Sequence, residues 1–300
     1  MIWLGESRGY FSDWITQLWV RVTGRAVTID RDHWLAGPVG TTHGIGRAFF
    51  ADLAGREELT LDAGTPETPL GLLPDFGALA ATDFDPSHVH RSVAEFYTRT
   101  SQYDMDAWAE WCGAFRPFGR LLAALFSRRL QQLNVPLSAL DTSRGVTSTI
   151  LRLAETSSGV VRYTAWVREL VGSGNVLYAG SYSLAVVPGR TGQCVKVVFP
   201  LPNGNAIVLM RPEAHPDGSL SVISAGERFG DPGFYFTVHS PDGSSRARYL
   251  RALRESIRVF PSVGGEVRAD HVMTLWGARF MRLHYRLRVR QLPNAAAGAT

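Results

Sequence analysis

The sequence predicts an α+β protein in which a helical N-terminal half packs on a C-terminal antiparallel β-barrel-like sheet. Three observations carry that expectation. Apolar spacing is helical before about Asp141; after Gly145 it alternates with period two; and the alternating part is cut at short intervals by hairpin-type turns. The expected organisation is a helical region or layer over residues 1–140, a barrel or strongly curved sheet over 141–290, and a flexible tail over 291–300.

The first helix is read from Phe11, Trp14, Ile15, Leu18, Trp19 and Val22, which form one apolar stripe that ends at Gly24. Such a stripe is expected to dock on the parent domain. A second helix is expected to begin at Asp85-Pro86, an N-cap followed by proline at the first helical position, and to carry Val89, Val93, Phe96 and Tyr97 inward. Helical spacing continues through Trp108, Trp111 and Phe115, then through Leu121 to Leu133, and stops at Asn134-Val-Pro136.

Extended segments are expected at 146–153, 160–170, 175–187, 194–199, 205–211, 220–224, 234–239, 253–260, 266–275 and 279–289. They are joined by turns such as Pro202-Asn-Gly, Pro216-Asp-Gly and Pro241-Asp-Gly. Residues 248–255 also fit a helix, because Leu250, Leu253 and Ile257 share a helical face. Short links make antiparallel neighbours, and so many strands must close or fold over to cover their edges. At fold level this arrangement is similar to calycin-like or helix-grip-like proteins that hold apolar small molecules; the likeness is one of architecture alone.

Composition narrows the classes. The 300 residues are 45% hydrophobic and 19% charged, a globular balance. No window approaches the roughly 18 uninterrupted apolar residues of a membrane helix, and Met1 to Arg8 has no leader pattern. Cys112 and Cys194 form no CxxC pair. A cytoplasmic chain that is not an integral membrane protein is therefore expected.

Lys196 is the only lysine beside thirty arginines, the codon usage of a GC-rich genome. Residues 51–115 hold twelve acids against three arginines, and residues 241–290 hold eleven arginines against four acids. Either the two groups neutralise one another or a basic face awaits an anionic partner. The lack of a recognisable nucleic-acid module argues against nucleic acid.

Binding and chemistry are sought where tyrosines share an apolar strand face. Tyr163 and, on the next strand, Tyr178 and Tyr182 would line a pocket, with Trp166 from the other face of the Tyr163 strand and Tyr285 of the last strand as further ligand contacts. In the last strand Met281, Leu283, Tyr285, Leu287 and Val289 share the dry face, opposite Arg282, His284, Arg286, Arg288 and Arg290. Rim segments add Arg211, Glu227, Arg228, Asp231 and Tyr235 as ligand contacts. Acid–base chemistry in the same cavity would fall to His239, His284, Lys196 or Tyr182.

No cofactor or metal is expected. The Gly-rich segment 37–46 precedes a helix, but Phe49 replaces the third dinucleotide glycine and no Gly-Lys-Ser/Thr follows. His88 and His90 would point apart on a helix.

Three readings stay open. The chain binds or carries a mainly apolar small molecule; it is a cofactor-independent cyclase, isomerase or lyase using that cavity; or it is a structural or interaction module with an arginine face.

Overall fold

The computed structural model describes residues 2–113, 115, 117, 146–172 and 174–290. Among the described residues strand makes up 47% and helix 18%. Ten strands close into an antiparallel barrel: β3 (Tyr103–Trp111), β4 (Val146–Glu155), β5 (Val161–Leu170), β6 (Val176–Val186), β7 (Gln193–Leu201), β8 (Gly204–Ala214), β9 (Leu220–Ser224), β12 (Leu253–Pro261), β13 (Val267–Leu275) and β14 (Ala278–Val289). Closure falls to β8, which changes partner along its length. Its first half, from Gly204 to Leu209, pairs with β10 (Gly233–His239), and its second half, Arg211 to Ala214, pairs with β9. Beyond β10 the sheet continues outside the barrel through β11 (Ser245–Tyr249) to β1 (Arg25–Val27), and β2 (Leu59–Asp62) adds to β4.

The helical N-terminal half is corrected by this arrangement, and with it the calycin-like or helix-grip-like picture of helices laid on a sheet. Tyr103 to Trp111 is a barrel strand bonded to β14 along its whole length. Tyr103, Met105 and Ala107 are buried and alternate with more exposed Asp104, Asp106 and Trp108. That is period two, which the wide spacing of Trp108, Trp111 and Phe115 concealed. The second helix also begins later than its sequence signals suggest. Asp85 caps a short 3-10 turn at Pro86–His88, accepting from the Ser87 N–H at 2.9 Å. The helix proper, α3 (Arg91–Thr98), is capped by the His90 ring, whose Nδ1 accepts from the Ser92 N–H. Residues 248–255 are extended on either side of a turn. The helical spacing at Leu121 to Leu133 and the tail lie outside the described residues.

Segment 70–98 enters one end of the barrel and fills it. Leu70, Leu72, Leu73, Phe76 and Leu79, with Val93, Phe96 and Tyr97 of α3, form one buried cluster with inward residues of nearly every barrel strand, among them Ile150, Trp166, Val197, Val208, Val222, Val259 and Leu287. The seating is tight at Gly71, where a Cβ would lie 2.2 Å from the Thr98 carbonyl carbon, a separation no side chain tolerates. The His90 N–H donates to the Gly218 carbonyl at 2.8 Å, fixing the segment to the β8–β9 turn.

Outer layers cover part of the wall. Residues 33–35 lay Trp34 and Leu35 over Cys194, Val198, Ile207 and Leu209, while α2 (Phe49–Arg56) lays Phe49, Phe50 and Leu53 over Leu153, Ala165 and Val167. The Gly-rich segment 37–46 works by close approach: a Cβ on Gly37 would lie 2.6 Å from Val198 Cγ1, and the Gly40 N–H donates to the Leu201 carbonyl.

The flank of β3, β14 and β13 carries charge instead of a helix. Arg282, Arg288 and Arg290 pair with Glu110, Asp106 and Asp104 across the β3–β14 register, and Arg286 and Arg268 pair with Glu266. On this flank the acidic segment meets the basic one within a single molecule.

Truncation of Phe96 to Ala is expected to cost about 3–5 kcal/mol, because the barrel wall cannot collapse into the space. Truncation of Trp276, which is 82% exposed, is expected to stay within about 0.5 kcal/mol. Equilibrium denaturation of both variants measures the contrast.

Candidate functional site

Above α3, towards the opposite end of the lumen, the inward residues become polar. Parity along β5 decides which ones arrive. Trp166 belongs to the lumen cluster, whereas Tyr163, Ala165 and Val167 lie under α2 on the outer wall. Both faces of β5 are buried, so apolar alternation could not tell inside from outside. Tyr163 is therefore corrected: it faces outward, away from the other tyrosines.

Arg168 follows Trp166 on the inward face and is 6% exposed. Its guanidinium carbon lies 4.3 Å from the Trp166 ring centre, 4.1 Å from that of Tyr178 and 5.7 Å from that of Tyr285. One terminal nitrogen approaches the Met105 thioether at 3.5 Å, and Nε has no hydrogen-bond partner. Aromatic faces stabilise such a cation, but they leave N–H donors unsatisfied.

The rings beside it are held in turn. Trp166 Nε1 donates to Ser148 Oγ at 2.7 Å. Gly180 is the register partner of Trp166, and Tyr178 folds over it, its hydroxyl 3.1 Å from where a Cβ would stand. The Tyr178 hydroxyl is buried without a hydrogen-bond partner. Desolvation pushes its proton affinity well above that of an ordinary phenol, and Tyr182 is pushed up to about 12 for the same reason. Both are neutral donors at any physiological pH. Tyr285 is raised as well, again chiefly by burial.

Glu255 of β12 and His271 of β13 complete the cluster. Glu255 is 8% exposed, its carboxylate lies 3.1 Å from His271 Nε2, and its backbone N–H donates to Ser224 Oγ. The His271 ring stacks near Tyr285, with centres 6.5 Å apart. Around these groups Leu253, Ile257, Met273 and Phe199 are only partly buried. Chemically this is a buried, aromatic-walled cluster with one cation, one carboxylate and several phenol donors.

The remaining expected site residues lie elsewhere. Of the acid–base set, Tyr182 alone reaches the lumen. Lys196 sits on the outer wall, donating to the Ala36 carbonyl at 3.0 Å beneath residues 33–37. His239 bonds Ser245 Oγ outside the barrel, and burial lowers its proton affinity. His284 lies on the outer flank, where Nδ1 meets Asp270 at 2.6 Å beside Trp108. Two shallow depressions of about 270 and 280 Å³ occupy that flank.

Of the rim set, Arg211 pairs with Glu213, and Glu227 pairs with Arg251 and Arg254. The Asp231 carboxylate holds its own turn by accepting from the Glu227 and Arg228 N–H groups, with the Arg228 guanidinium 3.7 Å away. Tyr235 donates to the Asp231 carbonyl under Trp34. None of these joins Trp166, Tyr178, Tyr182 and Tyr285. His88 reaches Asp85 at 3.8 Å, and His90 is occupied as a cap.

The chain is 26% identical over 219 residues to the uncharacterised membrane protein YndJ of Bacillus subtilis (strain 168). The match covers 72% of this chain, which spans about 37% of that protein's length. No family model and no solved structure matches the chain. Likeness to a protein named as a membrane protein overturns the cytoplasmic placement expected from the sequence. Among the described residues no helix is long and apolar enough to cross a bilayer, a statement that bears on helical spans alone.

Lys196 supplies a pH test of its buried position. Desolvation lowers its proton affinity from 10.5 to about 8. Between those values the unfolded chain holds a proton that the folded chain has lost, so stability rises with pH across the interval. Relative to Lys196→Met, the wild type is expected to gain about 3 kcal/mol from pH 7 to pH 10.5 in urea denaturation.

Proposed function

We propose that the barrel binds a small molecule with a mainly apolar body and a carboxylate or similar acceptor head in the half of the lumen that α3 leaves to polar residues. The observation that carries this reading is Arg168, a buried guanidinium with an unsatisfied Nε and aromatic neighbours in place of a carboxylate. The head would bond Arg168 and the Tyr178 hydroxyl, and the body would lie against Leu253, Ile257 and Met273. The closed barrel is compatible with ligand binding. Likeness to a membrane protein supports a setting where such apolar molecules are abundant.

The cyclase or isomerase alternative loses three of the four groups first expected to serve it, since Lys196, His239 and His284 lie outside the lumen, and keeps Tyr182. Were chemistry to occur here, Glu255 and His271 would supply the acid–base pair and the tyrosines would act as donors.

A buried cation without an anionic partner is costly in the empty protein. Arg168→Met is therefore expected to keep or raise thermal stability while abolishing uptake of dodecanoate, read by native mass spectrometry of the freshly purified protein and after titration. Loss of stability with uptake unchanged would make Arg168 a packing residue and overturn the proposal.

A further inference from the structure

Helix α1 (Phe11–Thr23) docks by the side opposite to the one its sequence suggests. Its buried residues are Asp13, Gln17 and Val20. The Asp13 carboxylate accepts from the Tyr10 N–H at 3.2 Å, Gln17 Nε2 donates to the Pro202 carbonyl at 3.2 Å, and the helix lies on β10 and β11. The apolar stripe faces away from the protein: Phe11 is 46% exposed, Ile15 48%, Leu18 42%, Trp19 37% and Val22 72%. Beside it Ile2 and Trp3 are also exposed. A contiguous outward apolar face on one helix marks an interaction surface.

What fringes this face indicates its occupant. The polar side of α1 is poor in basic residues, so the helix taken alone makes a weak anchor. Folding supplies the missing charge from distant strands. Arg248 and Arg246 reach the C-terminal turn of α1, donating to the Thr23 carbonyl at 2.9 Å and the Gly24 carbonyl at 3.2 Å, and the Arg248 guanidinium lies 6.0 Å from the Trp19 ring centre. Arg21 stands at the same end, whereas Arg25, the register partner of Ala247, turns to the other face of the sheet, its guanidinium 5.0 Å from the Phe229 ring centre. None of the three arginines at this end, Arg21, Arg246 and Arg248, makes an ion pair with a described carboxylate; Asp242 is the acid that acts on Arg21 at longer range. This contrasts with the β14 flank, where Arg282, Arg286, Arg288 and Arg290 are each paired.

We propose that the outward face of α1, with Arg21, Arg246 and Arg248 at its C-terminal end, seats on an anionic lipid surface. The apolar residues enter the headgroup–acyl boundary, Trp19 takes the interfacial position its amphipathic ring favours, and the guanidiniums meet phosphate groups. The helix is too short to cross, so it lies in the plane of the interface. The membrane setting invoked for the lumen ligand guides the choice of occupant. This face is separate from the lumen, and the two readings fail independently.

The test is flotation with vesicles of phosphatidylcholine alone and of phosphatidylcholine with 30% phosphatidylglycerol, with tryptophan emission recorded in parallel. The wild type is expected to float with the anionic vesicles at least tenfold better than with the neutral ones, with a blue shift. Leu18→Ser combined with Val22→Ser, both at exposed positions, is expected to abolish flotation with the thermal transition unchanged. Arg21→Gln combined with Arg246→Gln is expected to weaken anionic binding by about fivefold per arginine.

Arg168→Met is expected to float as the wild type does, which separates this proposal from the lumen reading. Failure of the wild type to float would overturn it, as would flotation indifferent to lipid charge or to Leu18→Ser/Val22→Ser. A lipid-free dimer dispersed by the same serine variant would assign the face to a second copy of the chain instead.

Discussion

Ten strands enclose more space than their own inward side chains can fill, since about eight already make a barrel whose interior side chains just meet. The rest of this structure answers that geometric constraint. One end of the lumen is filled by chain, as Leu70 to Tyr97 enters and packs Phe96 and Tyr97 against the wall from inside. The other end is lined by aromatic rings and charged groups drawn from β5, β6, β12, β13 and β14. The candidate site is thus the polar part of the lumen lining.

The same closure explains the distribution of charge. Bringing β14 alongside β3 sets the arginine-rich last strand against the acids of the first barrel strand, so their opposite charges cancel pairwise on a solvated flank. Each exposed pair contributes little to stability. Outside these pairs stand Arg168, which makes no ion pair although Glu255 shares its cluster, and the arginines around the end of α1. Net charge alone would not have located either place.

Much of the barrel was legible because alternation and turn chemistry agreed. Asn203 adopts φ of 59° in the Pro202-Asn-Gly turn, and Gly243 adopts 82° after Pro241-Asp, the conformations those residues admit most readily. The two faces of β14 could also be read directly, since one is dry and the other charged. Where two signals coincided the sequence was ambiguous. Tyr103 to Trp111 spaces its tryptophans like a helix while alternating like a strand, and β5 is buried on both sides, so Tyr163 and Trp166 could not be sorted by polarity.

The apolar stripe of α1 was visible, but the direction of docking depended on Gln17 finding a backbone carbonyl at Pro202, a contact no local pattern encodes. Arg168, Glu255 and His271 escaped for a related reason. Each sits alone in its own strand, and only the register brings the three into one cluster. Their sole sequence signal is a charged residue in the middle of an apolar alternation, a pattern that Lys196 shares without being near them.

Lys196 carries the chain's single ε-amine, and the fold closes the strap at Ala36 over it. Acylating reagents that decorate most proteins at many surface points therefore have one side-chain target here, shielded while the strap is seated. The rate at which that amine is acylated would report opening of residues 33–37 from the wall without any engineered label.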